Sequence, residues 1–495
     1  MKPTLQLDEL HVISDLHLGG AKPFQIFGST PELTSLIEHL TAEVGERRVG
    51  LLINGDFIDF LAEEPSEYFD PDRAVGKLDR IMEDPSFKPI FDAMRQFVRT
   101  RNRTLVVNLG NHDLELALPW VREHLIQSLC GKDLEAMGRL KIVLDGTGIL
   151  CEVGRARVLC LHGNEVDSWN VADFETIRRV GRDMQFGQPI GSWIPNAGSR
   201  MVIDVMNGIK RRFPFVDLLK PEVEAVVPTL LALDPSALPT LREVAMVAGR
   251  RAWDAARMAT GFLGDVPVGV DGVPAGQVRA PAPVLATGAG RRSARNGGGI
   301  ANESLQLIRV VENEARQGTD PMDLLGHDPG KQLGFWSATW NLVTGKPMHQ
   351  VLREALEDLD KDRSFDIGQP DETFKRLDAL VASDIEYVVA GHTHLERALP
   401  RKSGHAYYFN SGTWARLIRI EEGIRQDPVK FEHLFNLFKG GSMDILDKEP
   451  GLVIKRCSIV SIWMDNAGAT YGELRRMVSG HGQPSPVEDS RYPRS

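Results

Sequence analysis

Five short polar runs in the sequence could do chemistry: Asp15-Leu16-His17, Gly55-Asp56-Phe57-Ile58-Asp59, Gly110-Asn111-His112-Asp113, His162-Gly163 and Gly391-His392-Thr393-His394. Together they offer imidazoles, carboxylates and one amide, and no thiolate. Such a donor set suits borderline divalent metals such as Mn, Fe, Zn, Co or Ni. It is too nitrogen-rich for a calcium site. An Asp among the other ligands could bridge two ions. Two ions about 3.5–4 Å apart stabilise both the attacking and leaving oxygens of an in-line displacement and acidify bound water. Each run alone has a plainer reading. D-x-H can be a solvated turn, G-D-x-x-D a turn with a helix cap, and G-N-H-D a turn that uses the backbone freedom of Gly and Asn. A lone His162 can be a satisfied core histidine. Order and placement outweigh these readings.

Each run follows a short apolar segment: residues 10–14, 49–54, 104–109, 157–161 and 386–390. These read as buried strands of an α/β sheet. Between the first two, Leu33, Leu36, Ile37, Leu40 and Val44 fall on one face of a helix over 31–44, with Ser29 and Thr30 as cap candidates. Residues 90–98, 120–129 and 372–382 are further helices, and 407–410 and 458–464 further strands. This alternation predicts strands joined by crossover helices. In such sheets ligands bind beyond the carboxyl ends of the strands, where the five runs stand.

The 495 residues allow two or three domains. The strand-and-helix rhythm covers 1–169 and resumes over 371–479. Between them, 170–370 reads as a mainly helical insertion, with a Gly-, Ala-, Pro- and Arg-rich flexible segment at 264–299. Residues 480–495 read as a flexible tail. The formal charge of -10 lacks the basic footprint of a nucleic-acid binder, so nucleic acid is not a favoured partner. Cys130, Cys151, Cys160 and Cys457 form no C-x-x-C pair and read as buried reduced thiols of a cytoplasmic protein. No secretory leader is visible, and no apolar stretch reaches the roughly 18 residues of a membrane span.

Taken in order, D-x-H, G-D-x-x-D, G-N-H-D, H-G and G-H-x-H resemble the calcineurin-like metallophosphoesterase superfamily, over about 10–169 and 372–414. The resemblance implies an α/β fold, a two-sheet αββα sandwich, here with a large mainly helical insertion. It implies dinuclear-metal-dependent hydrolysis of a phosphate ester or diester by in-line attack of a metal-bridging hydroxide, with two divalent ions, manganese foremost. By the same resemblance Asp15, His17 and His394 would bind one ion, Asn111, His162 and His392 the other, and Asp56 would bridge them. His112 would protonate the leaving oxygen or bind the phosphoryl group, and Asp59 would orient it. Residues 410–414 (NSGTW) resemble the family's strand after G-H-T-H and read as structural support.

The expected substrate is a small or nucleotide-like phosphate. Phe60-Leu61 follows Asp59, and Asp113 stands for Glu, where phosphoprotein phosphatases carry G-D-x-x-D-R-G and G-N-H-E; the missing Arg removes a phosphate-gripping fork. Residues 14–18 and 162–163 are similar to UDP-2,3-diacylglucosamine pyrophosphatases, but that group usually has Arg in place of His112 and a shorter cap. A UDP-sugar or lipid-linked pyrophosphatase, a nuclease and a non-catalytic scaffold of the same fold are the alternatives. Residues 191–220, with Trp193, Arg200, Lys210, Arg211, Arg212, Phe213 and Phe215, read either as a cap over the metal cleft or as a helical subdomain with a solvated basic end. Asp167, Trp169, Arg200 and Arg211 are the candidates for substrate contact. The amphipathic stretch 431–438 (FEHLFNLF) is expected to dock on the core.

Overall fold

The structure, a computed structural model, describes residues 5–42, 45–167, 170–189, 196, 198–199, 202–220, 222–234, 347–356 and 363–493. The expected flexible segment 264–299, Trp169, Trp193 and Arg200 lie outside the described residues. Among the described residues the strands are β1 (Leu5–Leu7), β2 (Glu9–Ile13), β3 (Val49–Asn54), β4 (Arg103–Asn108), β5 (Leu140–Val143), β6 (Ile149–Val153), β7 (Ala156–Cys160), β8 (Tyr387–Ala390), β9 (Glu396–Pro400), β10 (Tyr407–Ser411), β11 (Leu417–Ile418), β12 (Val453–Ile454), β13 (Ser458–Met464), β14 (Thr470–Arg476) and β15 (Ser485–Pro486). One sheet has the order β15-β14-β13-β2-β3-β4-β5, the other β1-β6-β7-β8-β10-β9, and β11 and β12 pair by themselves. Strands β2 to β5 run parallel, as do β7, β8 and β10.

Alternation along the central strands builds the layers. In β3, Leu51 and Ile53 share an apolar cluster with Leu33 and Leu36 of helix Thr30–Ala42 and with Phe91 and Met94 of helix Lys88–Arg99. Leu52, from the opposite face, packs with Val12, Val106, Val158, Val389 and Phe409 between the sheets. Beyond the second sheet, Leu150, Val388 and Tyr408 meet Phe374 and Leu377 of helix Glu372–Leu380. The order is helix, sheet, sheet, helix, the αββα sandwich that the resemblance implies. Helix Lys88–Arg99 shows why: Ile90, Phe91, Met94, Phe97 and Val98 are buried on one stripe, and Pro89 sits at its first turn, where no hydrogen bond is lost. Each such side chain contributes about 1.5–3 kcal/mol. No helix among the described residues is long and apolar enough to cross a membrane.

Two expectations change. Phe431, Leu434, Phe435 and Phe438 of helix Pro428–Gly440 do not dock on the sandwich. They form a second core with Phe215, Leu218, Leu219 and Leu230 from the insertion and with Val351 and Leu352. Phe215 stacks on Phe438 with centroids 4.4 Å apart. The helical unit thus draws on chain from both sides of residue 371. Residues 485–492 are not a loose tail either. Strand β15 pairs with β14, the Tyr492 and Gly472 backbones exchange hydrogen bonds of 2.7 and 2.8 Å, and the Tyr492 ring stacks on Tyr407 at 4.7 Å. Polar composition hid this docking because a few anchoring residues carry it.

Candidate metal centre

The five polar runs leave the carboxyl ends of β2, β3, β4, β7 and β8. Asp15, His17, Asp56, His392 and His394 all take positive φ, between 48° and 69°. Non-glycine residues rarely adopt that conformation, which costs on the order of 1–3 kcal/mol each and persists only where surrounding bonds enforce it. Those bonds are present. The Leu16 and His17 amides both donate to Asp56 O at 2.9 Å, and the Gly391 amide donates to His162 O at 2.8 Å. The His392 amide donates to both Asp15 carboxylate oxygens, at 3.1 and 3.0 Å.

Two glycines are needed for close approach. A Cβ on Gly110 would fall 2.2 Å from Asp56 Oδ1, and one on Gly391 would fall 2.7 Å from Asp15 Oδ2. The G-N-H-D and G-H-T-H runs can therefore lie against these carboxylates only without a side chain at those positions.

The side chains meet in overlapping groups: Asp15 with His17 and His394, Asp56 with His162 and His392, and Asp59 with His17 and His112. Asp15 Oδ1 is 3.3 Å from His394 Nε2, and His17 Nε2 is 3.1 Å from His394 Nε2. Asp56 Oδ2 lies 3.3 Å from His162 Nε2 and 3.7 Å from His17 Nε2, so one carboxylate reaches both groups. Its Oδ1 accepts the His112 amide at 3.0 Å. Asn111 sits between Gly110 and His112, its Oδ1 buried without a hydrogen-bond partner.

Residues 10–205 match the family described as calcineurin-like phosphoesterase. The chain carries a calcineurin-like metallophosphoesterase domain. No curated protein matches the chain. The match ends at 205, and the structure brings His392 and His394 of the metallophosphoesterase, nearly two hundred residues farther on, beside Asp15 and Asp56. The enzyme is a metal-dependent hydrolase of phosphoric esters.

The buried carboxylates and imidazoles set one another's charge. Burial opposes ionisation of Asp15, but His394 and His162 hold it down to about 2. Burial likewise opposes the charge on Asp56, and His162, His112 and His17 keep it well below the usual carboxylate range. Burial disfavours an imidazolium at His162, yet Asp56 and Asp15 push it up to about 10. His394 goes the other way, down to about 4, through burial and the nearby Lys220 ammonium. His112 is raised to about 9: burial lowers it, and the Asp59 and Asp56 carboxylates outweigh burial. A cluster this rich in ionised carboxylates attracts cations.

Supporting residues fix these rings; of them sequence reasoning missed Asn54, while the 410–414 segment was expected to give structural support. The Asn54 carbonyl accepts from His162 Nδ1 at 2.7 Å, leaving Nε2 toward Asp56. Asn54 Nδ2 also donates to Leu161 O at 2.6 Å, tying the two sheets together. Asp113 accepts the Gly110 amide at 2.7 Å and the Phe57 amide at 2.8 Å, pinning two motif loops to each other. Thr413 Oγ1 donates to Asp15 O at 2.8 Å. Holding a ligand's far side in this way orients it. The substrate-contact candidates fare differently. Asp167 Oδ2 lies 2.9 Å from His392 Nε2, beside the cluster. Arg211 pairs with Glu64, its side chain 65% exposed, and does not join the cluster. Solvated surface pairing wins there because nothing buries its guanidinium. Trp169 and Arg200 are outside the described residues.

Proposed function

We propose that the chain hydrolyses a small or nucleotide-like phosphate ester or diester with two divalent ions, manganese foremost. The observation that carries this is Asp56, whose Oδ2 faces His162 at 3.3 Å and His17 at 3.7 Å and so spans the two groups. Asp15, His17 and His394 would hold one ion, Asn111, His162 and His392 the other, and Asp56 both. The buried unpartnered Asn111 Oδ1 fits this, since an amide oxygen with no protein partner is available to a cation. Bound ions would supply an acidified water and charge to offset the phosphoryl oxygens.

The chain's own residues supply proton transfer and orientation. His112 Nδ1 lies 3.1 Å from Asp59 Oδ1, which holds the imidazolium and leaves Nε2 free to give its proton to the departing oxygen. The His112 amide, on Asp56 Oδ1, ties the proton donor to the bridging carboxylate. Four buried free thiols support a reducing, cytoplasmic location.

The test is metal analysis beside turnover of a chromogenic phosphomonoester and phosphodiester. Asp56→Ala should lose metal and activity together. His112→Ala should keep its metal while the rate falls roughly 10²–10⁴-fold. A wild-type protein that takes up no divalent ion, or a His112→Ala variant at full rate on every substrate, overturns the reading.

A further inference from the structure

A chain of hydrogen bonds leads from the insertion to the back of one ligand ring. Asp167 Oδ2 lies 2.9 Å from His392 Nε2. The same oxygen accepts the Asn170 side-chain amide at 2.7 Å. The Asn170 backbone carbonyl in turn accepts from Asn164 Nδ2 at 3.1 Å and from Asn196 Nδ2 at 3.3 Å. Asn164 is buried and follows His162-Gly163, whereas Asn196 belongs to the insertion. Asn196 Oδ1 accepts the Ser199 amide at 2.7 Å, which fixes that side chain. Between them, Gly198 is pressed against Asn170: a Cβ there would fall 1.8 Å from Asn170 Oδ1. Arg376 of helix Glu372–Leu380 donates to Val166 O and braces the loop from its other side.

The partner of one imidazole nitrogen decides what the other can offer. At His162 the Asn54 carbonyl takes Nδ1, and Nε2 faces Asp56. At His392 Asp167 takes Nε2, so Nδ1 is the atom left for an ion. A carboxylate on the far nitrogen also makes the ring a stronger ligand. Asp167 does not itself join the group of Asp56, His162 and His392. Its side chain is 29% exposed, so burial does not force it inward. Asn170 supplies the restraint that burial does not, and Asn164 and Asn196 supply it to Asn170.

We propose that Asp167 is a positioning residue: held by Asn170, it fixes the His392 ring with Nδ1 toward the ion shared with His162, and residues 196–199 of the insertion keep Asn170 in place. This rests on the two-ion reading above. The insertion thereby sets the affinity of one ion and leaves the ion of Asp15, His17 and His394 unaffected. Asp167 is then an outer partner of a ligand, not a substrate contact.

The test titrates the metal-depleted full chain with manganese alone. Calorimetry gives the two dissociation constants, and electron paramagnetic resonance separates isolated from spin-coupled manganese. Wild type should bind two ions and show the coupled signal. Asp167→Ala should weaken one ion about 10–100-fold, the usual loss when the outer partner of a ligating histidine is removed, and leave the other constant unchanged. At manganese levels that fill wild type, its spectrum should be that of an isolated ion. Asp167→Asn keeps an oxygen to accept the Nε2 proton and should recover part of the affinity. Gly198→Ala keeps every donor of the site and displaces only Asn170; Gly198 has helical backbone, where Ala is the better helix former. It should weaken the same ion, by less. Glu175→Gln removes a 62% exposed carboxylate from the nearby helix Phe174–Gln185 and should match wild type. Unchanged constants in Asp167→Ala, or an equal fall for both ions, refute the positioning role. A raised KM with both constants unchanged makes Asp167 a substrate contact and refutes it too. An equal loss in Glu175→Gln refutes it, because diffuse charge then explains the effect. Loss in Asp167→Ala without loss in Gly198→Ala refutes the insertion's share. A wild type that takes up no second ion refutes the two-ion reading beneath.

Discussion

Asp59 places its Oδ1 3.1 Å from Nδ1 of His112. Its other oxygen lies 3.4 Å from His17 Nδ1, so one buried carboxylate orients both the proposed proton donor and a metal-ligand candidate. Asp59→Asn keeps the shape and removes the charge. The His112 imidazolium, raised to about 9 against burial by Asp59 and Asp56, then loses its main support. The acid form exists below the His112 pKa and disappears as pH rises through it. The alkaline limb of the pH–rate profile should move to lower pH in Asp59→Asn, and the rate at pH 8 should fall about tenfold or more. A limb that stays in place assigns the alkaline loss to another group.

The site's outline was legible because each run stood at the end of a strongly apolar strand, and β3 and β13 occupy the residues expected of them. Strands β6 (ILCEV) and β9 (ERALP) escaped notice because charges interrupt their apolar pattern. Lys220 and Asn54 could not be found by pattern at all. Lys220 owes its position to a single bridge between Leu219 and Ile418, and Asn54 looks like the last residue of an ordinary strand. Arg211 shows the converse: a basic residue in a promising segment turned outward to Glu64, where water solvates its charge.

Gly110→Ala should uncouple metal binding from folding. The added Cβ meets Asp56 Oδ1 at 2.2 Å and the Asp56 amide at 2.6 Å, so the Asp56 carboxylate must shift. Metal per chain should fall well below that of wild type by elemental analysis, with far-ultraviolet circular dichroism retained. Gly138→Ala is the control. It lies in helix Leu134–Arg139 with nothing within 4 Å of an added Cβ, and it should stabilise by roughly 0.5–1 kcal/mol without changing metal content.

Glu115 should make stability depend on pH. It is 1% exposed and accepts the Asp70 amide at 3.1 Å. Burial raises it from the ordinary 4.5 to about 7, against the opposing pull of that amide and of buried Lys77. A carboxyl raised on folding stabilises fully below its unfolded pKa, and that contribution is lost as pH climbs through about 7. The component amounts to about 3 kcal/mol at most. Glu115→Gln carries no such proton. Melting temperatures of the variant and wild type should diverge in the variant's favour between pH 5 and pH 8. A difference that is flat across this range means Glu115 is ionised throughout.

Phe438→Ala separates the helical unit from the metal-bearing sandwich. Phe438 is fully buried and stacks on Phe215 of the insertion, while the candidate ligands sit at the strand ends of the sandwich. Truncating a buried Phe costs roughly 3–5 kcal/mol, more where the cavity cannot collapse. That cost falls on the cluster holding residues 213–233 against 428–440, and the loops around Asp15 and Asp56 keep their own hydrogen bonds. Limited proteolysis should cut faster within 202–233, while metal content stays at the wild-type level. Loss of metal together with faster cutting would show that sandwich and helical unit unfold as one.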